Sequence, residues 1–291
     1  MERTELPAIY RNSDSAAGIH QRNYFRLLIV QYICLFAASV ATIGNGLFPS
    51  REAGFFYVAA IIVAILSQIG LAITRPDQKW YSSRALAESL MTLSWRFTMG
   101  ADPFPREMEP NEAKIVFKRR IDQLLLPHRT DPSMLLDGME HGDLVTSRMV
   151  TLRTADVTRR LSEYLTKRVK GQRNWYVQKA RRNRISARIV AVITVVTYLV
   201  AATFGVLQLV DSTTVHLWAT EPVLLFAASL IGWSQAKRYS ELAASYTLTA
   251  HEISALISMF SEDMDEQTFE KFVVEAEFAF SREHTQWAAR A

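Results

Sequence analysis

Two sets of five residues carry the polar chemistry available to the apolar part of this chain. Gln31, Cys34, Ala38, Thr42 and Asn45 follow one another at intervals of 3, 4, 4 and 3, and so do Thr194, Thr197, Ala201, Gly205 and Gln208. That spacing places each set on one face of a helix. Small and polar side chains on one face of an apolar helix have two uses. They let a neighbouring helix approach closely and bond across the gap, at about 0.6–2 kcal/mol per bond. Alternatively, they line a water-filled path. Neither set contains Asp, Glu, Lys or Arg, so such a path would select poorly by charge. The sets are offset by 163 positions, which marks an internal duplication.

The elements that must position these stripes are apolar blocks. Hydrophobic residues make up 49% of the 291, and a mean hydropathy of +0.03 is ordinary for a globular protein. Their distribution is not. They concentrate in Leu27–Phe48, Ala53–Thr74, Ile189–Val210 and Leu217–Ala236, each 20 to 22 residues long, with Glu221 the single charge among them. A 22-residue helix reaches about 33 Å, enough for the roughly 30 Å hydrocarbon core of a bilayer. The expected fold class is therefore all-α: an integral membrane protein with two parallel transmembrane hairpins, four spans in all, and a cytoplasmic helical bundle. The first block follows a polar arm and lacks a cleavage signature, so it is expected to stay in the protein rather than serve as a signal peptide.

Charge sets the expected orientation. Before the third block stand Lys167, Arg168, Lys170, Arg173, Lys179, Arg181, Arg182, Arg184 and Arg188, with Trp175 and Tyr176 among them. Arg22 and Arg26 precede the first block, Arg75, Lys79 and Arg84 follow the second, and Lys237 and Arg238 follow the fourth. The connecting turns offer only Arg51, beside Glu52, in one and no Lys or Arg in the other. Positive-inside counting therefore puts both open ends and both termini in the cytoplasm of a bacterial inner membrane. The cluster Arg173, Lys179, Arg181, Arg182, Arg184 and Arg188 reads as a topology signal, or as a site for anionic lipid or a nucleotide. Glu221, ahead of Pro222, reads as a first-turn acid or as an ion-attracting group at the outer mouth.

Outside the blocks the pattern predicts helices. A short one is expected from Ser13 to Asn23. Pro76 should break the chain after the second block. Leu86, Leu90, Leu93 and Phe97 share a face until Gly100–Pro105 stops that helix. A further helix should start at Asn111 and use Phe117, Ile121, Leu124 and Leu125; residues 133–153 read as weaker short helices. Thr154 is the expected cap of one long helix over 155–210. Leu242, Tyr246, Ile253, Ile257 and Phe260 continue out of the fourth block, and a last helix carries Phe269, Phe272, Val273, Ala276 and Phe280. Acidic Glu262, Asp263, Asp265, Glu266 and Glu270 are expected to face the basic lead-in. Two domains follow from this. Residues 1–153 hold spans 27–48 and 53–74 and cytoplasmic helices 80–153; residues 154–291 hold the long helix, span 217–236 and helices 237–289.

Catalytic patterns are missing from the sequence. His20, His128, His141, His216, His251 and His284 are scattered, with no ligand spacing that would hold a metal. There is no G-x-S-x-G and no Walker loop, so neither an enzyme nor a cofactor is expected. Nucleic-acid binding is not expected, because the basic residues stand beside the apolar blocks.

LPAIYRNSDSAAGIHQRNYFRLL before the first block, KWYSSRALAESLMTLSWRF with Pro103–Phe104 after the second, and YLTKRVKGQRNWYVQKARRN before the third resemble the SLATT superfamily. QRNWYVQKA is the most specific of these signals. The order is that of two such two-transmembrane domains in tandem, covering nearly the whole chain. The resemblance implies an oligomeric membrane effector that forms pores or disrupts the bilayer when nucleotide signalling is triggered in anti-phage or conflict systems. It also implies a separate nucleotide-sensing or nucleotidyltransferase partner. Gly44-Asn-Gly46 fits no nucleotide motif and no α/β sensor domain is appended. The alternative is a membrane-anchored scaffold or sensor whose cytoplasmic helices recruit a partner without any pore.

Overall fold

The computed structural model describes residues 1–43, 50–128, 143–210, 220–261 and 263–288, and these are helical and contain no strand. Among the described residues ten α-helices follow one another: α1 (Ala8–Ile43), α2 (Ser50–Thr74), α3 (Pro76–Met99), α4 (Pro110–Leu125), α5 (Ser147–Thr154), α6 (Val157–Glu163), α7 (Gly171–Val210), α8 (Thr220–Lys237), α9 (Tyr239–Ser258) and α10 (Glu266–Ala288). A π-helical turn, Tyr164–Lys170, joins α6 to α7. Asn45, the residues of the first and second connecting turns at 44–49 and 211–219, and 133–142 fall outside the described residues.

The helices sort into two compact units. One comprises 1–21, 77–179 and 245–291; the other comprises 22–76 and 180–244. Each half of the sequence supplies segments to both. Packing thus separates apolar spans from amphipathic helices, whereas the duplication separates first half from second.

The first unit is built like a water-soluble protein. Leu86, Leu90 and Phe97 of α3 are buried, as are Phe117 and Ile121 of α4 and Phe269, Phe272, Val273, Ala276 and Phe280 of α10. Phe97, Phe104 and Phe117 form a triangle with centroids 4.9–5.8 Å apart. Tyr164 meets Trp95, Phe269 and Phe272 edge-on. Such aromatic pairs add about 0.5–1.5 kcal/mol each beyond the area they bury. Gly100 ends α3 at φ +72, a conformation that glycine adopts without a side-chain penalty.

The second unit is inverted. On α2, Phe55, Phe56, Leu66 and Ile73 are exposed, Ile73 at 76%; on α7, Ile189, Val192, Leu199 and Leu209 are exposed, Leu209 at 88%. The runs Ala8–Ala41, Arg51–Met99 and Val157–Leu207 are long and apolar enough to cross a membrane, and at most 17% of the most apolar stretch of each is buried. A surface of this kind matches hydrocarbon and is larger than water-exposed patches tolerate. The 18 described residues of α8 include Glu221 and Lys237 at their ends, and these leave that helix less apolar.

Contacts within this unit fix its pairing. Gln31 Nε2 donates to Gln68 Oε1 at 3.1 Å, tying α1 to α2. Phe25 packs edge-on against Trp233, and Phe36 against Phe226, so α1 and α8 run antiparallel. Arg22 and Arg26 therefore lie at the same end as Lys237 and Arg238. Lys237 Nζ caps the Phe25 ring at 3.2 Å from its centroid.

Five local expectations change. The arm and first span are one unbroken helix, because nothing between Ala8 and Ile43 breaks it. Helix α4 starts at Pro110, since the Glu109 carboxylate accepts from the Asn111 and Glu112 amides at 2.8 and 3.0 Å. Thr154 ends α5 instead of capping the long helix; Ala155 is extended, and the Asp156 carboxylate accepts from the Arg159 amide at 2.7 Å. The long helix is not uniform, because the π-turn interrupts it. Helix α9 is likewise separate from α8: Arg238, at φ +52, breaks the path, as Arg75 does at φ +44 before Pro76. These two arginines are offset by the same 163 positions as the polar stripes, so the duplication extends to the backbone breaks. Proline bars Arg75 from the right-handed helical region.

Gly232 lets α8 approach α1. A Cβ there would lie 2.6 Å from Tyr32 Oη and 3.2 Å from its Cζ. Gly232→Ala is expected to cost about 1–3 kcal/mol, and Tyr32→Phe to recover part of it by removing the nearest atom. Thermal unfolding of both variants in detergent checks this; an unchanged midpoint for Gly232→Ala refutes the close approach.

Candidate functional site

Of the first stripe, Ala38 is buried and Gln31 and Cys34 are half-buried; of the second, Thr197 and Ala201 are buried and Thr194 and Gly205 are half-buried. The side chains of Thr42, Asn45 and Gln208 fall outside the described residues. Thr194 and Thr197 satisfy their hydroxyls on their own helix, donating to the carbonyls of Val190 and Ile193, each at 2.8 Å. The described residues of the stripes thus lie toward the inward sides of α1 and α7, with open space beside Gly205, and most large aliphatic residues point outward. Nothing charged lies along them.

The basic cluster divides. Arg173 Nε donates to Ser254 Oγ at 2.9 Å, and Lys179 sits 5.5 Å from the Trp175 ring centroid, both in the first unit. Arg181, Arg182, Arg184 and Arg188 are exposed on α7 just before its apolar stretch. Glu221 is exposed in the first turn of α8, where a carboxylate favours the helix N-terminus.

Sequence reasoning missed three buried arginines. Arg153 donates to the carbonyls of Phe97, Phe104 and Pro105 at 2.7–3.0 Å, closing the end of α3. Burial lowers its pKa to about 10, and Arg106 and Arg160 add to the effect. Arg160 donates to the Met99 carbonyl at 2.6 Å and pairs with Glu266. Arg168 makes a bidentate pair with Glu277, through Nε at 2.8 Å and Nη2 at 2.7 Å. Tyr164 and Thr92 hydroxyls complete the Glu277 carboxylate at 3.0 and 2.9 Å. The Arg168 and Glu277 side chains are 3% and 0% exposed. Burial works against the Arg168 charge, but Glu277 overcomes it and holds the guanidinium above its usual value. Burial and then Glu277 push the Tyr164 phenol well up. Among the described residues the acids paired with the lead-in are Glu277, in the middle of an apolar stripe, for Arg168 and Glu163 for Lys167, rather than the acids around the start of α10. Glu266 meets Arg160, upstream of the lead-in, and Glu262 falls outside the described residues. Tyr164, Leu165, Arg168 and Val169, all buried, lie within the π-turn.

A cleft of about 300 Å³ opens beside Arg168, between the N-terminal segment, α3 and the start of α7. Tyr10 and Glu88 are in its wall. Burial, helped by Asp14 and Glu88, pushes the Tyr10 phenol up to about 12, so it remains a neutral donor at physiological pH.

Helices with an outward apolar surface and an inward small-residue seam define a helical membrane protein. The comparisons give its family. Residues 7–161 match the model of SMODS and SLOG-associating 2TM effector domain 3, and residues 164–287 match that of SMODS and SLOG-associating 2TM effector domain 1. The chain belongs to this SLATT family and carries two of its domains in tandem. Neither a curated protein nor a solved structure matches it.

Glu277→Gln leaves Arg168 buried without its counter-charge and should cost about 3–5 kcal/mol. Replacing both partners with Arg168→Met and Glu277→Leu is expected to recover most of that. Chemical unfolding of the full chain in detergent reads both, and equal loss in the single and double variants contradicts the pairing.

Proposed function

We propose that this chain is an oligomeric effector that permeabilises the bacterial inner membrane within a nucleotide-signalling anti-phage or conflict system. The observation that carries this reading is the inside-out second unit: large aliphatic residues face outward and the duplicated polar stripes face inward, in a chain built of two effector-family domains. Four spans enclose too little water for a wide path, so a pore needs several copies around a closed axis. The burial of Ala38, Thr197 and Ala201 supports reading this form as closed. Opening parts α1 and α7 from their neighbours, breaks the Gln31–Gln68 bond, and lets water wet the stripe. The basic open ends, with Arg22, Arg26, Lys237 and Arg238 together, favour a cytoplasmic first unit and cytoplasmic termini. The trigger then arrives there, through a separate nucleotide-sensing or nucleotidyltransferase partner. The action is physical and non-enzymatic.

One observation favours the scaffold reading. Ala38, Thr197 and Ala201 are already covered, as helix packing alone requires. Dye leakage from cells expressing the chain separates the two. Leakage is expected on triggering, and replacing Gln31, Asn45 and Gln208 together with Leu should abolish it while leaving the oligomer intact. Unchanged leakage removes the stripe as a lining. An intact membrane under every candidate nucleotide, with a soluble partner co-purifying, leaves the scaffold.

A further inference from the structure

The cleft beside Arg168 belongs neither to the helix packing nor to the permeation path described above. Four cations stand in its wall, Arg3, Arg84, Lys167 and Arg168, against the single carboxylate of Glu88. The carboxylates that pair with these cations from behind, Asp14, Glu163 and Glu277, do not line it. Arg168 is incompletely served. Its Nε and Nη2 are taken by Glu277, but Nη1 donates to the thioether of Met91, a weak acceptor, at 2.6 Å. A buried guanidinium N–H without an oxygen acceptor is costly, and an anionic oxygen would satisfy it best. Two further groups in the wall are uncommitted: the Tyr10 hydroxyl, in a residue 6% exposed, and the Gln172 amide make no hydrogen bond among the described residues. The half-buried indole of Trp175 supplies a flat apolar surface beside them.

We propose that this cleft binds a small planar organic anion, whose charged oxygens accept from Arg168 Nη1, Tyr10 and Gln172 while its ring lies against Trp175. The volume suits one ring system bearing one phosphate or carboxylate, at the lower end of small-molecule sites. Stacking of a ring on an aromatic side chain and charge-assisted bonds to a guanidinium reinforce one another, so a molecule with both features outcompetes one with either alone. Such a ligand would bridge the N-terminal segment, α3 and the π-turn that holds the Arg168–Glu277 pair.

The test is calorimetric titration of the purified full chain in detergent with two ring anions, adenosine monophosphate and naphthoate, which separate phosphate from carboxylate. Adenosine supplies a ring without charge, and inorganic phosphate a charge without a ring. Saturable binding of at least one ring anion is expected, with adenosine and inorganic phosphate tenfold weaker or more. The double variant Tyr10→Phe/Gln172→Leu, which keeps the packing volume, should weaken that binding about tenfold at an unchanged unfolding midpoint. No saturable binding of either ring anion, equal binding of adenosine, or an affinity unchanged in the double variant overturns the proposal. Titration in detergent needs no permeable membrane, so a failure of the leakage experiment leaves this site standing.

Discussion

Hydrocarbon is the surroundings on which the second unit depends. Its helices expose Phe, Ile, Leu and Val over lengths that match a bilayer core, and most of the side chains they bury are small or polar, Phe25 and Leu28 being large exceptions. In lipid such helices gain little from burying more aliphatic surface, so close approach must come from small residues and from bonds between polar ones. Ala38, Ala201, Thr197, Gly232 and the Gln31–Gln68 bond fill these roles. The same chemistry that permits tight packing leaves a seam that water could wet if the helices moved apart.

The first unit obeys the opposite rule and uses a different fastening. Its aromatic core is ordinary for a protein in water, but three arginines are buried in it. Each solves a backbone or charge problem. Arg153 and Arg160 satisfy carbonyls where α3 stops and the chain turns through Gly100–Pro105, and Arg168 neutralises Glu277. A buried ion pair is a weak source of net stability compared with apolar residues of the same shape, but it specifies one arrangement, because either partner alone is costly. Tyr164 and Arg168, four positions apart within the π-turn, both reach Glu277 from the buried side.

Duplication and packing divide the chain along different lines. The repeat offset links the polar stripes, and it links Arg75 to Arg238, each in a left-handed conformation where the second helix of a hairpin gives way to the next helix. Packing instead collects the apolar spans of both halves into one unit and the amphipathic helices of both into the other. A tandem of two effector domains is thereby built as two mixed units. Neither half has a complete core of its own: Phe97 and Phe117 come from one half, Tyr164 and Phe269 from the other, and all lie in one cluster.

The sequence by itself determined the helical class, the apolar runs, the stripe faces and the amphipathic stripes of α3, α4 and α10. Periodicity and run length are local properties that need no partner to be read. It also carried the family, through QRNWYVQKA and its neighbours. What only the tertiary structure decided lies in pairings distant along the chain. Arg168 and Glu277 are separated by 109 positions, and Arg153 meets carbonyls some 50 positions away; nothing in composition distinguishes these arginines from the lead-in residues that stay exposed. The capping choices at Glu109 and Asp156 turned on which carboxylate reaches a free amide. Those are competitions between neighbours in space, and periodicity along one helix does not record them.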